Sequence, residues 1–352
     1  MESGWAHFEG LGLDDTIPKY LRISGKIQNL FMTKRDTEQY VNEIWAAKEE
    51  YQKMQGMGVG DNTEGSEVTE RETHHIHLSA FFEIFLEQRF KTQTRAVEFA
   101  YNFIDSLTKY SFDSDCKLFI MIMQGDLSEE IRHDQLNMLD DLLNELRHED
   151  QLTHHKVEGR LSLDVFFRVI RRTFPTKGEH SIRRLEKALE LEIKGRRFVL
   201  YEELLEEDEE GNQGKFCETL RMQHLTECST FSRRVMDVIT QFYDDSVAEA
   251  TTTDAIEDLA LMTSNGPSLT VSQLRNALSL ADADKTRNEI NKYLARGCDK
   301  SIQDVLLMET DRTIMIPVES FKANLKRGLI KKSKPTHETM MKNRAGNRSS
   351  GY

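Results

Sequence analysis

The N-terminal part of the chain mixes apolar and basic positions without a regular period. Residues 17–30 are interrupted by Gly25, which favours an extended or turning segment, called the strap below. Thr33 and Asp36 then form a helix start signal, because a threonine hydroxyl can accept a hydrogen bond from the backbone N–H three residues later. Apolar residues at helical spacing follow, and the pattern predicts a helix over residues 34–53.

A glycine-rich stretch separates this helix from the next apolar pattern. Residues 1–54 therefore form an N-terminal segment of strap and helix, and residues 55–77 predict a flexible linker. From residue 78 onward, apolar positions recur at helical spacing in four groups joined by short polar turns. This arrangement predicts a small helical bundle over residues 78–150.

Residues 151–330 contain a repeated short pattern in which an apolar position precedes an amphipathic helix. In paired EF-hands, one apolar residue of each loop meets its counterpart in a short β-bridge, and the loop ends on a carboxylate. Residues that fit this anchor position are Leu161, Val199, Leu269 and Met315. The pattern predicts two degenerate EF-hand-like helical pairs in this part of the chain.

The loops before these anchors lack the oxygen ligands that calcium requires. Three positions that would bear ligands in the second loop are Glu192, Lys194 and Arg196. Ca²⁺ takes about six to eight oxygen ligands. Two other acidic stretches, residues 206–211 and 282–284, do not combine the turn glycine with the final glutamate at the spacing of an EF-hand loop. We therefore expect no bound calcium. A calcium sensor with one working loop is the alternative function.

The composition predicts the fold class and argues against one class of partner, nucleic acid. Only five of the 352 residues are proline and straight-chain residues abound, so the fold class is predicted to be all-α. The net charge of −13 argues against a general nucleic-acid binder, so any contact with nucleic acid is expected to be indirect. Residues 202–210 are mainly acidic, whereas residues 331–352 are basic and predict a disordered tail.

The sequence also indicates the compartment. No apolar run approaches the about 18–20 residues of a membrane-spanning helix, and residues 1–12 lack the apolar core of a signal peptide. The four cysteines are scattered without a C-x-x-C spacing, which predicts reduced thiols in the cytoplasm.

No catalytic motif is found in the sequence. Phosphate-binding glycine loops, the nucleophile elbow, the zinc-protease helix motif and the kinase motifs are all absent from it. We therefore predict a protein that is not an enzyme and has no cofactor and no catalytic residue.

Two groups of possible metal ligands are present. His74, His75 and His77 adjoin the predicted linker, where solvated histidines are expected. Cys217, His224 and Cys228 fall on one face of a helix, but the first two are separated by about 10 Å of helical rise. Only the last two could share an ion, and they need two further ligands from elsewhere. A buried face with small thiols is the favoured interpretation, and no metal site is predicted.

Two stretches of the chain resemble a known family. Residues 17–51 read IPKYLRISGKIQNLFMTKRDTEQYVNEIWAAKEEY, and residues 81–139 begin FFEIFLEQRF. Both are similar to the N-terminal domain of the translin-associated factor X-interacting protein 1 family, and KRDTE…IW within residues 34–45 is the most specific part. The resemblance implies a non-enzymatic protein that binds translin-associated factor X and occurs in ciliated or flagellated cells or in sperm.

The N-terminal segment is the predicted partner-binding region. Aromatic and basic side chains dominate interface energies, and a flexible linker suits a segment that searches for a separate surface. We expect it to dock on another protein, so that removal of residues 1–54 would leave the remainder equally stable. Folding back over acidic residues 202–210 is the alternative. The predicted partner-binding residues are Lys19, Tyr20, Arg22, Lys26, Lys34, Arg35 and Trp45.

Together these observations predict a cytoplasmic, protein-binding scaffold or adaptor. The expected partners are translin-associated factor X or axonemal and tubulin-associated proteins, and the expected locations are the cilium or flagellum and the perinuclear cytoplasm. No membrane partner is expected.

The ligand-poor loops give the first testable prediction. Millimolar Ca²⁺ should change neither the melting temperature nor the helicity of the protein, because no loop offers the required carboxylates. Circular dichroism melts with Ca²⁺ and with chelator will check this. A saturable stabilisation that the chelator removes would support the calcium-sensor alternative instead.

Overall fold

Helices of this protein begin where the sequence supplies a capping side chain. The Thr33 hydroxyl accepts a hydrogen bond from the Asp36 backbone N–H at 3.2 Å, and the Asp36 carboxylate accepts one from the Thr33 N–H at 3.1 Å. The same reciprocal arrangement starts two later helices, after Thr270 and after Thr286. Each box satisfies two backbone donors that the first helical turn leaves without partners.

The computed structural model describes residues 7–55, 76–206, 213–252, 260, 262–263, 266–311 and 313–335. The helices are α1 Lys34–Met54, α2 Leu78–Arg89, α3 Gln93–Lys109, α4 Ser114–Met123, α5 Glu130–His154, α6 Leu163–Thr173, α7 Glu179–Ile193, α8 Tyr201–Leu205, α9 Lys215–Thr252, α10 Val271–Ala281, α11 Arg287–Cys298, α12 Ile302–Met308 and α13 Val318–Leu325. A short 3₁₀ helix spans Lys19–Leu21, and the strands are β1 His7–Glu9, β2 Lys26–Gln28, β3 Arg160–Ser162, β4 Phe198–Leu200, β5 Ser268–Thr270 and β6 Met315–Pro317.

The predicted all-α class is confirmed, since the described strands form only two-stranded antiparallel pairs of three residues each. No helix among the described residues combines the length and apolarity needed to cross a membrane. The predicted helix after Thr33 is also confirmed and ends at Met54. Most of the predicted linker, residues 56–75, lies outside the described residues, as do His74 and His75.

The chain divides into two compact units, Met1–Glu129 and Glu130–Tyr352, called unit 1 and unit 2 below. This division differs from the segments expected from the sequence, because α1 belongs to the same unit as α2–α4, whereas α5 belongs to unit 2. The apolar stripe of α1 explains its place. Ile44 is fully buried, and the Trp45 ring lies 5.7 Å from that of Phe119 on α4.

Aromatic rings fill the interior of unit 1. Phe82, Phe103 and Phe119 are fully buried, and the Phe103 ring contacts both of the others at centroid distances of 5.7 and 5.5 Å. Such large side chains each bury extensive apolar area, so they supply much of the stability of the unit. A buried ion pair between Lys48 and Glu129, at 2.7 Å, joins α1 to the end of the unit.

Unit 2 contains two apolar cores. The first is formed by α5–α8 and the start of α9, around Phe166, Leu185 and Phe216. The second is formed by the rest of α9 with α10–α13, around Leu274 and Phe321. The 38-residue helix α9 contributes to both cores and thereby connects them.

The predicted anchor residues lie in the short strands of unit 2. Leu161 in β3 pairs directly with Val199 in β4, as the pattern predicted. In the other sheet, Leu269 pairs with Ile316, and Met315 is displaced by one position to lie opposite Thr270. Met315 and Ile316 are both apolar, so the pattern could not fix a register that differs by a single residue. The relation of these pairs to EF-hands stays a prediction.

Two acidic residues that the sequence analysis considered as possible calcium ligands, Glu192 and Asp282, serve as acceptors for the protein's own backbone. The Glu192 carboxylate accepts the Phe216 N–H at 2.9 Å at the start of α9, and burial raises the pKa of this carboxyl. Asp282 is buried and accepts the Ser333 N–H at 2.8 Å. The beginning of the predicted basic tail, residues 331–335, is therefore held against unit 2, and residues 336–352 lie outside the described residues.

Asp150 at the end of α5 is a buried acceptor that organises the following loop. Its carboxylate accepts the Glu158 and Gly159 N–H groups, both at 2.8 Å, and the Tyr201 hydroxyl at 2.7 Å. Burial by itself raises the pKa of Asp150, but the hydrogen bonds from Tyr201, His154 and the backbone outweigh it and hold the pKa below its ordinary value. The ionised carboxylate thus stabilises the folded protein.

Replacement of Asp150 by Asn should destabilise unit 2 by about 2–3 kcal/mol at neutral pH, because a neutral amide oxygen would accept weaker hydrogen bonds than the carboxylate Oδ2 and the amide nitrogen would face His154. Since the pKa of Asp150 is lower in the folded than in the unfolded protein, its contribution is fully present above the unfolded value of about 4. That contribution is lost as the pH falls through the folded value. Melting curves of both proteins from pH 7 to pH 3 should show the difference narrowing, and a constant difference would contradict this role.

Candidate partner-binding surface

The N-terminal residues of unit 1 form a small two-stranded layer. Strands β1 and β2 pair in antiparallel register, with Phe8 opposite Ile27. Beyond β1, Gly10 donates its N–H to the Gly25 carbonyl at 2.7 Å. A Cβ atom at Gly10 would lie 2.3 Å from the Ile23 carbonyl oxygen, so only glycine allows this close approach of the two segments.

Polar side chains of α3 hold the strap against unit 1. The Tyr101 hydroxyl accepts the Leu11 N–H at 2.8 Å and donates to the Leu21 carbonyl at 2.9 Å. One hydroxyl thus connects both sides of the layer. A segment with little helix or sheet of its own needs such partners for its backbone groups.

Asn102, the next residue on α3, fixes the end of the strap. Its buried amide accepts the Leu30 N–H at 2.6 Å and donates to the Gln28 carbonyl at 2.9 Å. Further along, the Tyr110 hydroxyl donates to the Met32 carbonyl at 3.1 Å. The path of residues 28–32 is therefore set by three contacts with α3 and its C-terminal end.

The side chains of two predicted partner-binding residues, Lys19 and Tyr20, contact α2 within unit 1. The Tyr20 ring packs edge-on against Phe82, with ring centroids 5.2 Å apart. The Lys19 ammonium lies 2.6 Å from Glu87 and 2.9 Å from Glu83 on α2, and hydrogen bonds with these two carboxylates raise the pKa of Lys19. These side chains hold the strap to α2.

Arg22 and Lys34 also bind neighbouring groups. The Arg22 guanidinium donates to the Asp15 carboxylate at 2.6 Å and to its backbone carbonyl at 2.7 Å, which closes the preceding loop. Lys34 forms ion pairs with Glu38 and, at 3.0 Å, with Asp113.

The structure places Trp45 in the interior, with 7% of its surface exposed, so it stabilises unit 1 and is not available to a partner. Lys26 and Arg35 are exposed. The structure thus brings the seven predicted residues to unit 1, but most of them bind unit 1 itself. Within unit 1 the strap lies against Glu83 and Glu87 of α2. Removal of residues 1–54 would therefore expose the core, contrary to the sequence-based expectation.

A different set of side chains remains exposed beside the strap. Leu30, Phe31 and Phe112 expose 52%, 55% and 64% of their surface, and we call them the aromatic face. They belong to one region, because the Tyr110 hydroxyl binds the Met32 carbonyl while its ring lies 6.1 Å from that of Phe112. Exposed aromatic groups on an ordered surface are typical of protein interfaces.

The backbone of Phe31, whose ring is more than half exposed, has a strained conformation. Its φ is +52°, a left-handed conformation that costs a residue with a Cβ atom about 1–2 kcal/mol. The Asn29 side chain accepts the Phe31 N–H at 2.8 Å, and the contacts of Leu30 and Met32 with α3 fix the flanking residues. Strain of this kind persists where the surroundings impose it, and it is concentrated at functional sites.

The sequence placed Phe31 in the predicted partner-binding N-terminal segment but did not reveal the aromatic face. Phe112 lies about eighty positions away, after α3, and only the fold brings it near residues 30–32. Two exposed basic side chains, Lys109 and Arg35, lie in the segments next to those that carry the face and are called the basic rim below. Lys109 lies over the Tyr110 ring at 5.0 Å, and Arg35 is exposed at the start of α1.

Comparison with known proteins finds two similar curated proteins. Translin-associated factor X-interacting protein 1 of Mus musculus is 24% identical over 314 residues, which cover 89% of this chain and 38% of that protein. Its counterpart in Homo sapiens is 28% identical over 222 residues, which cover 62% of this chain and 30% of that protein. The chain thus spans about a third of the length of these relatives. No model of a known protein family matches it, and no solved structure matches it.

The strain at Phe31 yields a prediction about stability. A Phe31→Gly variant should melt at the same temperature as the natural protein or slightly above it, because glycine adopts positive φ without strain and the lost ring is largely exposed. Replacement of buried Phe103 by Ala is the control, with an expected loss of about 3–5 kcal/mol. Thermal melts of both variants check this, and a clear destabilisation by Phe31→Gly would show that the ring supports the fold.

Proposed function

We propose that this chain, a relative of translin-associated factor X-interacting protein 1, is a non-enzymatic scaffold or adaptor that binds a protein partner through the aromatic face of unit 1. The relatives are named for an interaction with translin-associated factor X, which is consistent with a protein-binding role. Translin-associated factor X is the partner we propose for this chain.

The single observation that supports this site is the strained exposure of Phe31 beside Phe112. Aromatic residues contribute disproportionately to the free energy of binding when a partner buries them, because they remove large apolar areas from water with few rotatable bonds. Here two such rings and Leu30 stand on a surface fixed by Asn102 and Tyr110. A preorganised surface loses little conformational entropy on binding.

The basic rim suits a partner with acidic groups around an apolar patch. Arg35 and Lys109 are exposed on unit 1, although the whole chain carries a net charge of −13. Complementary charge at the rim mainly increases the association rate and is screened by salt. The apolar face would then determine how long the complex lasts.

The proposed setting is the cytoplasm, in the cilium, the flagellum or the perinuclear region of ciliated cells or sperm. Axonemal and tubulin-associated proteins are the other partners that a test should include.

The decisive experiment measures binding of the purified full chain to purified translin-associated factor X by isothermal titration calorimetry. Replacement of Phe31 and Phe112 together by Ala should weaken binding about 100-fold or more, since two central aromatic residues each contribute about 2 kcal/mol or more. Leu191→Ala and Leu280→Ala, at exposed apolar positions of unit 2, serve as matched controls and should leave the affinity unchanged.

Two results would overturn the proposal. Equal affinity of the double variant and the natural protein would remove the aromatic face from the interface, provided that circular dichroism shows both to be folded. Absence of measurable binding by the natural chain would exclude translin-associated factor X as the partner. The same titration with tubulin then tests the other class.

A further inference from the structure

Helices α5 and α9 bring together three side chains that are typical metal ligands. Asp134 Oδ2 lies 3.0 Å from His224 Nε2, and the same nitrogen lies 3.8 Å from Cys228 Sγ. The three ligand atoms all lie within 4.8 Å of one another. The sequence pairs His224 with Cys228 on α9 by their i, i+4 spacing, and the fold adds a third ligand from α5.

Both helices hold these side chains in restricted positions. Cys228 is 4% exposed, and the side chains of Asp134 and His224 are 12% and 13% exposed. The Lys331 ammonium binds the second carboxylate oxygen, Oδ1, of Asp134 and leaves Oδ2 directed to His224. A hydrogen bond or ion pair of this kind orients a carboxylate for a metal ion. Cys217, on the same helix, is buried in the interior and is not part of the cluster.

The separations fit a tetrahedral ion of ordinary bond lengths. Bonds of about 2.0 Å to nitrogen and oxygen and about 2.3 Å to sulfur place the nitrogen about 3.3 Å from the oxygen and about 3.5 Å from the sulfur. The observed separations are 3.0 and 3.8 Å. These two separations thus lie within a few tenths of an ångström of the expected values. The oxygen and the sulfur, which lie within 4.8 Å of each other, would approach to about 3.5 Å by rotation of the side chains.

We propose that Asp134, His224 and Cys228 form a site for Zn²⁺ that joins α5 to α9. One thiolate, one neutral imidazole and one carboxylate are a ligand set that suits a borderline-soft divalent ion rather than Ca²⁺ or Mg²⁺. On binding, the Cys228 thiol releases its proton to solvent and His224 binds through an unprotonated Nε2. The thiolate and the carboxylate balance the two positive charges of the ion. Water takes the fourth position.

Such a site would stabilise unit 2. The ion binds the folded arrangement, in which residues 90 and 94 positions apart in the chain meet, and not the unfolded chain, so excess Zn²⁺ raises the melting temperature. This consequence is independent of the aromatic face of unit 1 and of the identity of any protein partner.

Titration of the full chain with Co²⁺, a spectroscopic substitute for Zn²⁺, tests the site. The reduced natural protein should develop a thiolate-to-cobalt charge-transfer band that saturates at one equivalent and is removed by Zn²⁺. Cys228→Ala should abolish the band, and Asp134→Asn and His224→Gln should weaken binding about 10-fold or more. Cys217→Ala, which removes a buried thiol of the same helix, should retain the band.

A thermal measurement supplements the spectra in case a variant is less stable. Excess Zn²⁺ should raise the melting temperature of the natural protein and of Cys217→Ala but not that of Cys228→Ala, each compared with its own sample in chelator. The proposal is overturned if the natural protein gives no saturable band, or if the band persists unchanged in Cys228→Ala. Equal stabilisation of all three proteins by Zn²⁺ would likewise overturn it.

Discussion

The fold depends on buried and half-buried polar side chains that bind the backbone of the segments between helices. Backbone groups of these segments that are removed from water need partners. Asn102 binds the end of the strap, Glu129 accepts the Leu78 N–H, and Asp150 accepts two N–H groups of the next loop. In the same way, Glu192 binds the start of α9. Each of these side chains fixes the position of a segment at the end of a helix or between two helices.

This constraint explains why acidic residues of the second half are poor candidates for calcium ligands. Glu192 lies where an EF-hand loop would place its first ligand, yet its carboxylate caps α9 beside Gly214, where a Cβ atom would lie 1.9 Å from the carboxylate. Asp282 similarly holds the chain after α13 through Ser333. These carboxylates accept hydrogen bonds from backbone N–H groups, which occupy the oxygen atoms that would otherwise be able to bind a cation. In unit 2, Glu192 and Asp282 thus hold the start of α9 and the segment after α13.

Local signals in the sequence predicted helices and strands, but contacts between residues far apart in the chain could not be predicted from it. The capping residues Thr33 and Asp36 and the anchors Leu161 and Val199 act over a few residues or through a repeated pattern, so they could be recognised. The strap illustrates the opposite case. Its basic residues predicted attraction to acidic groups, but the sequence did not identify Glu83 and Glu87, the two carboxylates that α2 places beside Lys19. Likewise Asp134 and Phe112 join their neighbours only through helix packing.

The signature that carries the family resemblance has a structural explanation. Within residues 34–45, Asp36 completes the capping box, Glu38 pairs with Lys34, and Trp45 packs on Phe119. These residues start α1 and bury its apolar stripe. The signature therefore contains residues that form the core of unit 1. Partner binding then depends on side chains that the core does not use. In this chain we propose that those side chains are Leu30, Phe31 and Phe112, each more than half exposed, and the backbone of Phe31 is strained by its positive φ. That separation of folding residues from exposed residues is what a binding surface on a rigid scaffold requires.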